Sequence, residues 1–402
     1  LASGHGYSLD TCPPYAPTDL REPGYIFFLY LIYKIFGHNI QIAYFIQILF
    51  FSASCVLVFL IAKEIANARV AGYAGILTAV CPTLANYAIY LYSESFFTFL
   101  LIFSIFALIN AKNSQLVKWY ILSGLLLGLM VLCKAVMLFF IVPAICYLFN
   151  KNYKKIVLLF ILFLSVIIPW TLRNYYTFGT FSFARRAEMN LLIRAYKTDY
   201  SFDKMKKTII YSYSEYLGSR YFPDPTIKPR DILFQEDYKA YDKYAELVKK
   251  GKSSAQINKI MAEEAFYRLK GHPVKYLLQT PVELFRMALF MHMPALWEKN
   301  TVDKFTNIQG GTIFLSVVRG LYRSISFVIL ALSFIGIYIR RAYWKKDFII
   351  LAAIIYINLI YSILNSHSRY SMPLIPFYLM FAVIGVVGIF NRKKDLYGAG
   401  TH

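Results

Sequence analysis

The residues able to do chemistry in this sequence are few, and most stand beside the ends of long apolar runs. Asp10, Asp19, Arg21, Glu22 and Glu94 come early, Lys134, Arg173, Asn174, Arg185 and Arg186 follow, and His367 and Arg369 come late. Ionisable groups near membrane depth are costly and tend to be functional. Arginine forks suit phosphate oxygens in bidentate fashion, and a lysine supplies a compact cation. Glu22 and Glu94 are the carboxylates available for an acceptor or a metal. No HExxH, CxxC, Walker loop or GxGxxG beside a strand occurs, so metalloprotease, redox and nucleotide-hydrolysing readings lack support. The five cysteines, Cys12, Cys55, Cys81, Cys133 and Cys146, are odd in number and unpaired in spacing, which supports neither a disulfide framework nor a zinc site.

Each position also has a plain structural explanation. Arg21-Glu22-Pro23-Gly24-Tyr25 reads as a helix start, with proline in the first turn and a carboxylate before it, so Glu22 is a cap unless it meets a ligand. Ser93-Glu94 opens an apolar run, where a Ser93 cap with an acidic first turn competes with a ligand-facing carboxylate. Lys134 interrupts the apolar stretch from Leu116 to Phe149. It is either a boundary lysine that snorkels or a cation for an anionic lipid headgroup. The second reading is favoured because Arg173, Arg185, Arg186 and Arg369 are predicted on the same face. Pro169-Trp170-Thr171-Leu172-Arg173-Asn174 closes a run with an aromatic-belt tryptophan. His367-Ser368-Arg369-Tyr370, with Pro373 and Pro376, opens the last run, and two prolines there loosen the first turns and suggest a binding edge.

The framework that holds these residues follows from composition. Of 402 residues, 58% are hydrophobic, 18% aromatic and 16% charged. Soluble domains run at about 45–50% apolar and about 25% charged, so disorder is excluded and an ordinary soluble enzyme disfavoured. Runs long enough for a hydrocarbon layer of roughly 30 Å are predicted at 41–61, 70–88, 95–111, 117–133, 136–149, 155–171, 312–339, 348–364 and 371–390. The run at 136–149 is short, and Arg319 and Arg323 limit the membrane part of 312–339 to about 325–339. Residues 24–37 are too short to span and read as a surface helix ended by Gly37. Within the polar stretch 172–310, helical patterns cover 235–270 and 274–297, the latter interfacial.

These assignments predict an all-α polytopic membrane protein. It comprises a first outer loop with an interfacial helix (1–40), six transmembrane helices (41–171), an extracytoplasmic, mainly helical insert (172–310), three more transmembrane helices (311–391) and a cytoplasmic tail (392–402). Sidedness comes from the short loops. One set carries 14 Lys and Arg, from Lys63 to Lys394, against Lys134 and Arg369 alone on the other, so the first set is predicted cytoplasmic. The net charge of +21 is then largely topology marking rather than a nucleic-acid signature, and no nucleic-acid partner is expected. The insert adds 23 Lys and Arg against 15 Asp and Glu between residues 173 and 304. Such a face attracts anionic lipid or polyanionic substrate, or is simply solvated. Nine spans and a cytoplasmic C-terminus put residue 1 outside, although the sequence has no initiator Met or signal segment there. At least one membrane helix is therefore expected before Leu1.

The ordered motifs resemble the dolichyl-phosphate-mannose protein mannosyltransferase-like family, glycosyltransferase family 39 and its relatives of the GT-C fold. They are Gly4-His-Gly-Tyr7, Arg21-Glu-Pro-Gly-Tyr25, Tyr33-Lys-Ile-Phe-Gly37, Ser93-Glu94, Gly124-Leu-Leu-Leu-Gly128, Leu132-Cys-Lys134, Pro169-Trp-Thr-Leu-Arg-Asn174, Ala265-Phe-Tyr-Arg-Leu-Lys-Gly-His-Pro273 and Arg369-Tyr370 with Pro373. The resemblance implies an inverting transferase that moves a sugar from a polyprenyl-phosphate carrier to a glycan, lipid or protein acceptor outside the membrane. It implies donor-phosphate contacts at Lys134, Arg173, Arg369 and Arg21. Its catalytic aspartate would precede Leu1, with Asp10 and Asp19 as fallbacks that do not match the motif, and the fragment is then expected to be inactive. Arg21-Glu22 stands where the lipid A aminoarabinose transferases have Glu-Lys, which weakens a metal role for Glu22. No cofactor is assigned, and a divalent metal is left open. The expected location is a bacterial cytoplasmic membrane, in contact with its lipids. A transporter or flippase of lipid-linked glycans is the alternative, as is a ligase. Transporters place ionisable groups near the midplane, whereas here the polar residues gather at one edge.

Overall fold

The computed structural model describes residues 1, 4–9, 12–149, 151–181, 183, 186–223, 229–297 and 311–390. Asp10, Arg185, residues 298–310 and the tail 391–402 lie outside them. The described chain is helical, with one isolated antiparallel bridge between Ser8 and Pro17.

A short helix, α1 (Pro23–Phe36), starts at its proline and stops at Gly37, whose φ of 72° suits a residue without a side chain. The membrane bundle begins with α2 (Ile40–Ile65), capped by Asn39 through Gln41 N, and α3 (Ala68–Ala79), capped by Asn67 through Val70 N. Next comes α4 (Pro82–Ala88), bent by 53° from α3. Pro82 explains the break, because it has no N–H to continue the ladder. Then follow α5 (Ser93–Ser114), α6 (Val117–Cys133), a 3₁₀ stretch (Ala135–Phe140) leading into α7 (Ile141–Leu148), and α8 (Tyr153–Phe178).

The polar region folds as α9 (Arg186–Tyr196), α10 (Phe202–Tyr213), α11 (Glu215–Tyr221), α12 (Pro229–Lys249), α13 (Ser254–Gly271) and α14 (Pro273–Ala288). The chain returns to the bundle through α15 (Gly311–Ile339), α16 (Trp344–Ile363), a 3₁₀ stretch (Ser368–Leu374) and α17 (Ile375–Phe390).

The described residues thus form the expected all-α polytopic membrane bundle with a mainly helical insert. Among the described residues six helices are long and apolar enough to cross a membrane, or seven if the bent pair α3–α4 is one span. The predicted spans at 117–133 and 136–149 are present only as shorter apolar helices. Three further expectations change. The helix predicted over 235–270 is two helices, because Gly251 turns at φ 67° and Ser253 starts α13 with a capping box. The pattern at 274–297 ends as an α-helix at Ala288. The span predicted at 155–171 continues to Phe178, so Arg173 is carried on a helix rather than in a loop.

Packing sorts the helices into central and peripheral. In α5 and the final span, 72% of the most apolar window is buried within the chain, against 22% in α8, so α5 and α17 form the centre and α8 faces outward. Gly124 and Gly128 let α6 lie against α8: an added methyl at Gly124 would overlap the Leu159 carbonyl, and one at Gly128 would fall 2.6 Å from Val166 Cβ. Small residues spaced by four commonly permit such an approach between membrane helices.

Candidate functional site

The start of α5, the end of α6 and the 3₁₀ entry to α17 meet at one end of the bundle. Glu94 is in the first turn of α5 and is buried. Its Oε1 lies 3.5 Å from Lys134 Nζ and 3.9 Å from Arg369 Nε. Lys134 terminates α6 in an extended conformation, so its side chain leaves the helix axis at the break before the 3₁₀ stretch. Arg369 is held out by the 3₁₀ turns that Pro373 enforces, with Tyr370 5.4 Å from its guanidinium carbon. The expected loosened start of the last span is present. Ser93 is inside α5 rather than its cap, and its Oγ donates to Glu94 Oε2 at 3.4 Å.

The start of α1 completes this wall. An added methyl on Gly24 would come within 2.7 Å of Cys133 N and 2.9 Å of the Leu132 carbonyl oxygen, so only glycine lets α1 touch the end of α6. That contact brings Glu22, at the N-cap position of α1, into the electrostatic range of Cys133 along with Glu94 and Lys134. Tyr25, one turn further, donates to Gln47 Oε1 at 2.7 Å, and Gln47 donates to the carbonyls of Ala88 and Tyr90 at 3.1 and 2.9 Å. Burial, and next the Glu94 carboxylate, push the Tyr25 phenol well above its ordinary range. It therefore acts as a fixed hydroxyl donor.

Arg173 has a separate setting. Its Nη1 donates to the Thr18 carbonyl at 2.9 Å and to Asn174 Oδ1 at 2.8 Å. Its guanidinium carbon lies 4.9 Å from the Trp170 ring, 5.1 Å from Phe178 and 5.6 Å from Tyr7. It borders a cavity of about 570 Å³ whose walls include Tyr7, Tyr15, Phe27, Leu132 and Trp170. Asp19, fully buried, acts electrostatically on Arg173. A carboxylate so enclosed fits a loop anchor better than a base that must meet an acceptor. Arg21 is exposed, and its carbonyl accepts from Tyr7 Oη at 2.9 Å.

Of the sequence-predicted residues, the structure therefore gathers Lys134 and Arg369 about Glu94, with Glu22 in the electrostatic range of the adjoining Cys133. Arg173 lines the neighbouring aromatic cavity with Leu132, Asp19 acts on it electrostatically, and the Arg21 carbonyl holds the cavity's Tyr7. Among the described residues no group of three or more His, Cys, Asp or Glu side chains stands together as a metal would require. Glu94, flanked by two cations, is a poor metal ligand in this arrangement.

Sequence reasoning passed over a second buried ionic cluster. Lys197, in the 3₁₀ turn just after α9, and Glu283, on α14, are paired at 2.8 Å with side-chain exposures of 2% and 3%. Around them stand Arg286, Asp237, Asn365, Ser366 and His367. The available signal was Gln279, Glu283 and Arg286 recurring on one face of a helix read for its apolar residues. Arg319 and Arg323, flagged as obstacles to a span, are also explained. Arg319 pairs with Glu215 at 2.9 Å, and Arg323 donates to the Tyr213 carbonyl at 3.0 Å. The first half of α15 thus packs on the insert.

Fold and site together define a polytopic helical membrane protein with a cationic, carboxylate-centred cluster at one end of its bundle. Residues 18–172 match the family model described as dolichyl-phosphate-mannose-protein mannosyltransferase. That match bears out, over those residues, the resemblance read from the motifs. No curated protein sequence matches the chain. Two solved proteins are similar to it in structure. One is the archaeal oligosaccharyltransferase AglB from Archaeoglobus fulgidus, in complex with an inhibitory peptide and a dolichol-phosphate. It has 12% identity and a TM-score of 0.48, with 92% of this chain and 42% of that one covered. The other is ArnT from Cupriavidus metallidurans, at 13% identity. In the apo state its TM-score is 0.38, with 96% and 70% covered, and bound to undecaprenyl phosphate 0.36, with 93% and 68%. The chain spans less than half the length of the archaeal protein.

Proposed function

We propose that this protein is an integral-membrane glycosyltransferase that takes a sugar from a polyprenyl-phosphate carrier and attaches it to an acceptor on the extracytoplasmic side, with inversion. The observation that carries the reading is the convergence of Lys134 and Arg369, from distant parts of the chain, on Glu94 at 3.5 and 3.9 Å. The match of residues 18–172 to a family named for a dolichyl-phosphate-linked donor supports it.

The chemistry asks little of the protein beyond placement and charge. The acceptor oxygen bonds to the anomeric carbon, the bond from that carbon to phosphate oxygen breaks, and the acceptor proton passes to a carboxylate. A prenyl phosphate leaves well once cations neutralise its growing charge, so two or three Lys or Arg residues matter more than a nucleophile. Lys134 and Arg369 take that role. Arg369 is suited to it because its side chain is 38% exposed and its contact with Glu94 exceeds hydrogen-bond length. Glu94 spaces the two cations and faces the acceptor, and Arg173 borders the aromatic cavity where the lipid approaches. The charge asymmetry of the short loops supports a reading in which this end of the bundle faces outward from a bacterial cytoplasmic membrane and the C-terminus inward.

The test is transfer of labelled sugar from a synthetic polyprenyl-phosphate sugar by the full-length protein in liposomes, with Lys134→Ala and Arg369→Ala in parallel. Wild-type protein is expected to release polyprenyl phosphate and to glycosylate an acceptor. Movement of intact lipid across the bilayer without cleavage of the sugar–phosphate bond would establish a flippase and end the transferase reading.

A further inference from the structure

The tightest buried ionic contacts near the site do not touch its cluster directly; they hold the segment that leads to Arg369. Leu364 follows the end of α16, and the 3₁₀ turns begin at Ser368, so Asn365, Ser366 and His367 lie between helices with no ladder of their own. Asn365 and Ser366 are fully buried. Buried backbone outside a ladder needs partners, and the insert supplies them. Glu283 Oε2 accepts from Ser366 N at 3.0 Å and from Ser366 Oγ at 2.6 Å. Lys197 Nζ bridges Glu283 Oε1 at 2.8 Å and Asn365 Oδ1 at 2.7 Å. Asp237 Oδ1 stands 3.5 Å from both Asn365 Nδ2 and His367 Nε2. Three consecutive residues are gripped from the insert, and the gripping ends two residues before Arg369.

A buried ion pair is a weak source of stability, since apolar residues of like volume often serve as well or better. What Lys197 and Glu283 provide that apolar residues would not is a set of directional bonds to the backbone and side chains of one short segment. We propose that Lys197 and Glu283 are positioning residues for the donor site. By fixing Asn365 and Ser366 they set the Arg369 guanidinium at the distance from Glu94 and Lys134 that leaves room for a phosphate. The insert is thereby part of the donor site without touching donor. This rests on the reading of Arg369 as a phosphate ligand.

The experiment is a double-mutant cycle on affinity for a synthetic polyprenyl phosphate, read beside amide hydrogen exchange of residues 364–370. Glu283→Gln keeps the shape and removes the charge, and Ser366→Ala removes only the hydroxyl donor and serves if Glu283→Gln folds poorly. Glu283→Gln is expected to weaken binding about ten-fold, with donor KM rising while kcat is largely kept, and to speed exchange at 364–370 but not in α13. In an Arg369→Ala background the same change should cost less than about two-fold, because it acts through the absent arginine. Ser366→Ala is expected to follow in the same direction by about three-fold. Additive losses, or unchanged affinity and exchange in folded Glu283→Gln, would overturn the positioning role. Wild-type protein that binds no polyprenyl phosphate, while Glu283→Gln still loosens 364–370, would instead sink the transferase reading.

Discussion

The Glu94 cluster and the Glu283 cluster use the same residue types and both carboxylates are buried, yet they are wired differently. At Glu94 the cations stand off at 3.5 and 3.9 Å. At Glu283 the carboxylate receives three donors between 2.6 and 3.0 Å. The Arg340–Asp347 pair, at the opposite end of the bundle, is tighter still, with two parallel bonds of 2.7 Å. Bidentate geometry of that kind satisfies both partners. The contrast separates charges committed to the fold from charges whose hydrogen-bonding capacity is left for something else. Lys134 is of the second kind, and so is Arg369 apart from its contact with Tyr370.

The contrast is most exposed to removal of a cation from the slack cluster. Lys134→Ala is expected to lower sugar transfer about 10²–10³-fold, as for loss of one preorganised charge-stabilising donor, while the melting temperature in detergent falls less than in Arg340→Ala, because Glu94 keeps Arg369 at 3.9 Å. A large loss of stability with transfer per folded molecule intact would make Lys134 structural. The opposite pattern is expected at Arg340→Ala. Leaving Asp347 buried and alone costs about 3–5 kcal/mol, visible as a lower melting temperature, with the donor affinity of the remaining folded protein unchanged.

A third test uses pH. Burial, opposed by Asp237 and reinforced by Arg286 and Arg369, lowers the His367 pKa from 6.5 to about 4. The unfolded chain therefore binds the proton more readily than the fold between those values, and stability rises with pH across them. The contribution is complete above about pH 6.5 and fades as pH falls through about 4, by no more than about 3 kcal/mol. Melting curves of wild type and His367→Gln should converge as pH drops through that window. Parallel curves would mean that His367 titrates normally. The smallest effect on the donor is expected at Gly24→Ala. The added methyl meets backbone of α6, pushes α1 away and shifts Lys134, raising donor KM about three- to ten-fold and costing about 1–3 kcal/mol of stability.

Much of the fold is legible in local sequence. The start of α1 at Pro23, its end at Gly37 and the irregular entry to the last helix follow from what proline and glycine permit locally. The apolar runs declare most of the bundle, since a segment of that composition has few other ways to satisfy its backbone in lipid. Where local pattern is ambiguous, length misleads. Residues 235–270 carry helical spacing throughout, and the break at Gly251 shows only as one glycine before a capping box.

The site divides in the same way. From the order of residues alone it follows that a handful of charges stand at the ends of apolar helices, because the cost of burying a charge in lipid forces them there. The succession of motifs that the family match bears out over residues 18–172 is likewise a property of the chain. Which charges meet is settled by packing. Lys134 and Arg369 share Glu94 because α5 and the entry to α17 pack centrally, with α6 ending against them. Arg173, of the same type and at a similar helix end, is turned instead toward Thr18, Tyr7 and Trp170. Periodicity and hydropathy are properties of neighbours along the chain. An ion pair is a property of neighbours in space, fixed by helix contacts such as Gly24 against Leu132 and Cys133 that no local pattern encodes.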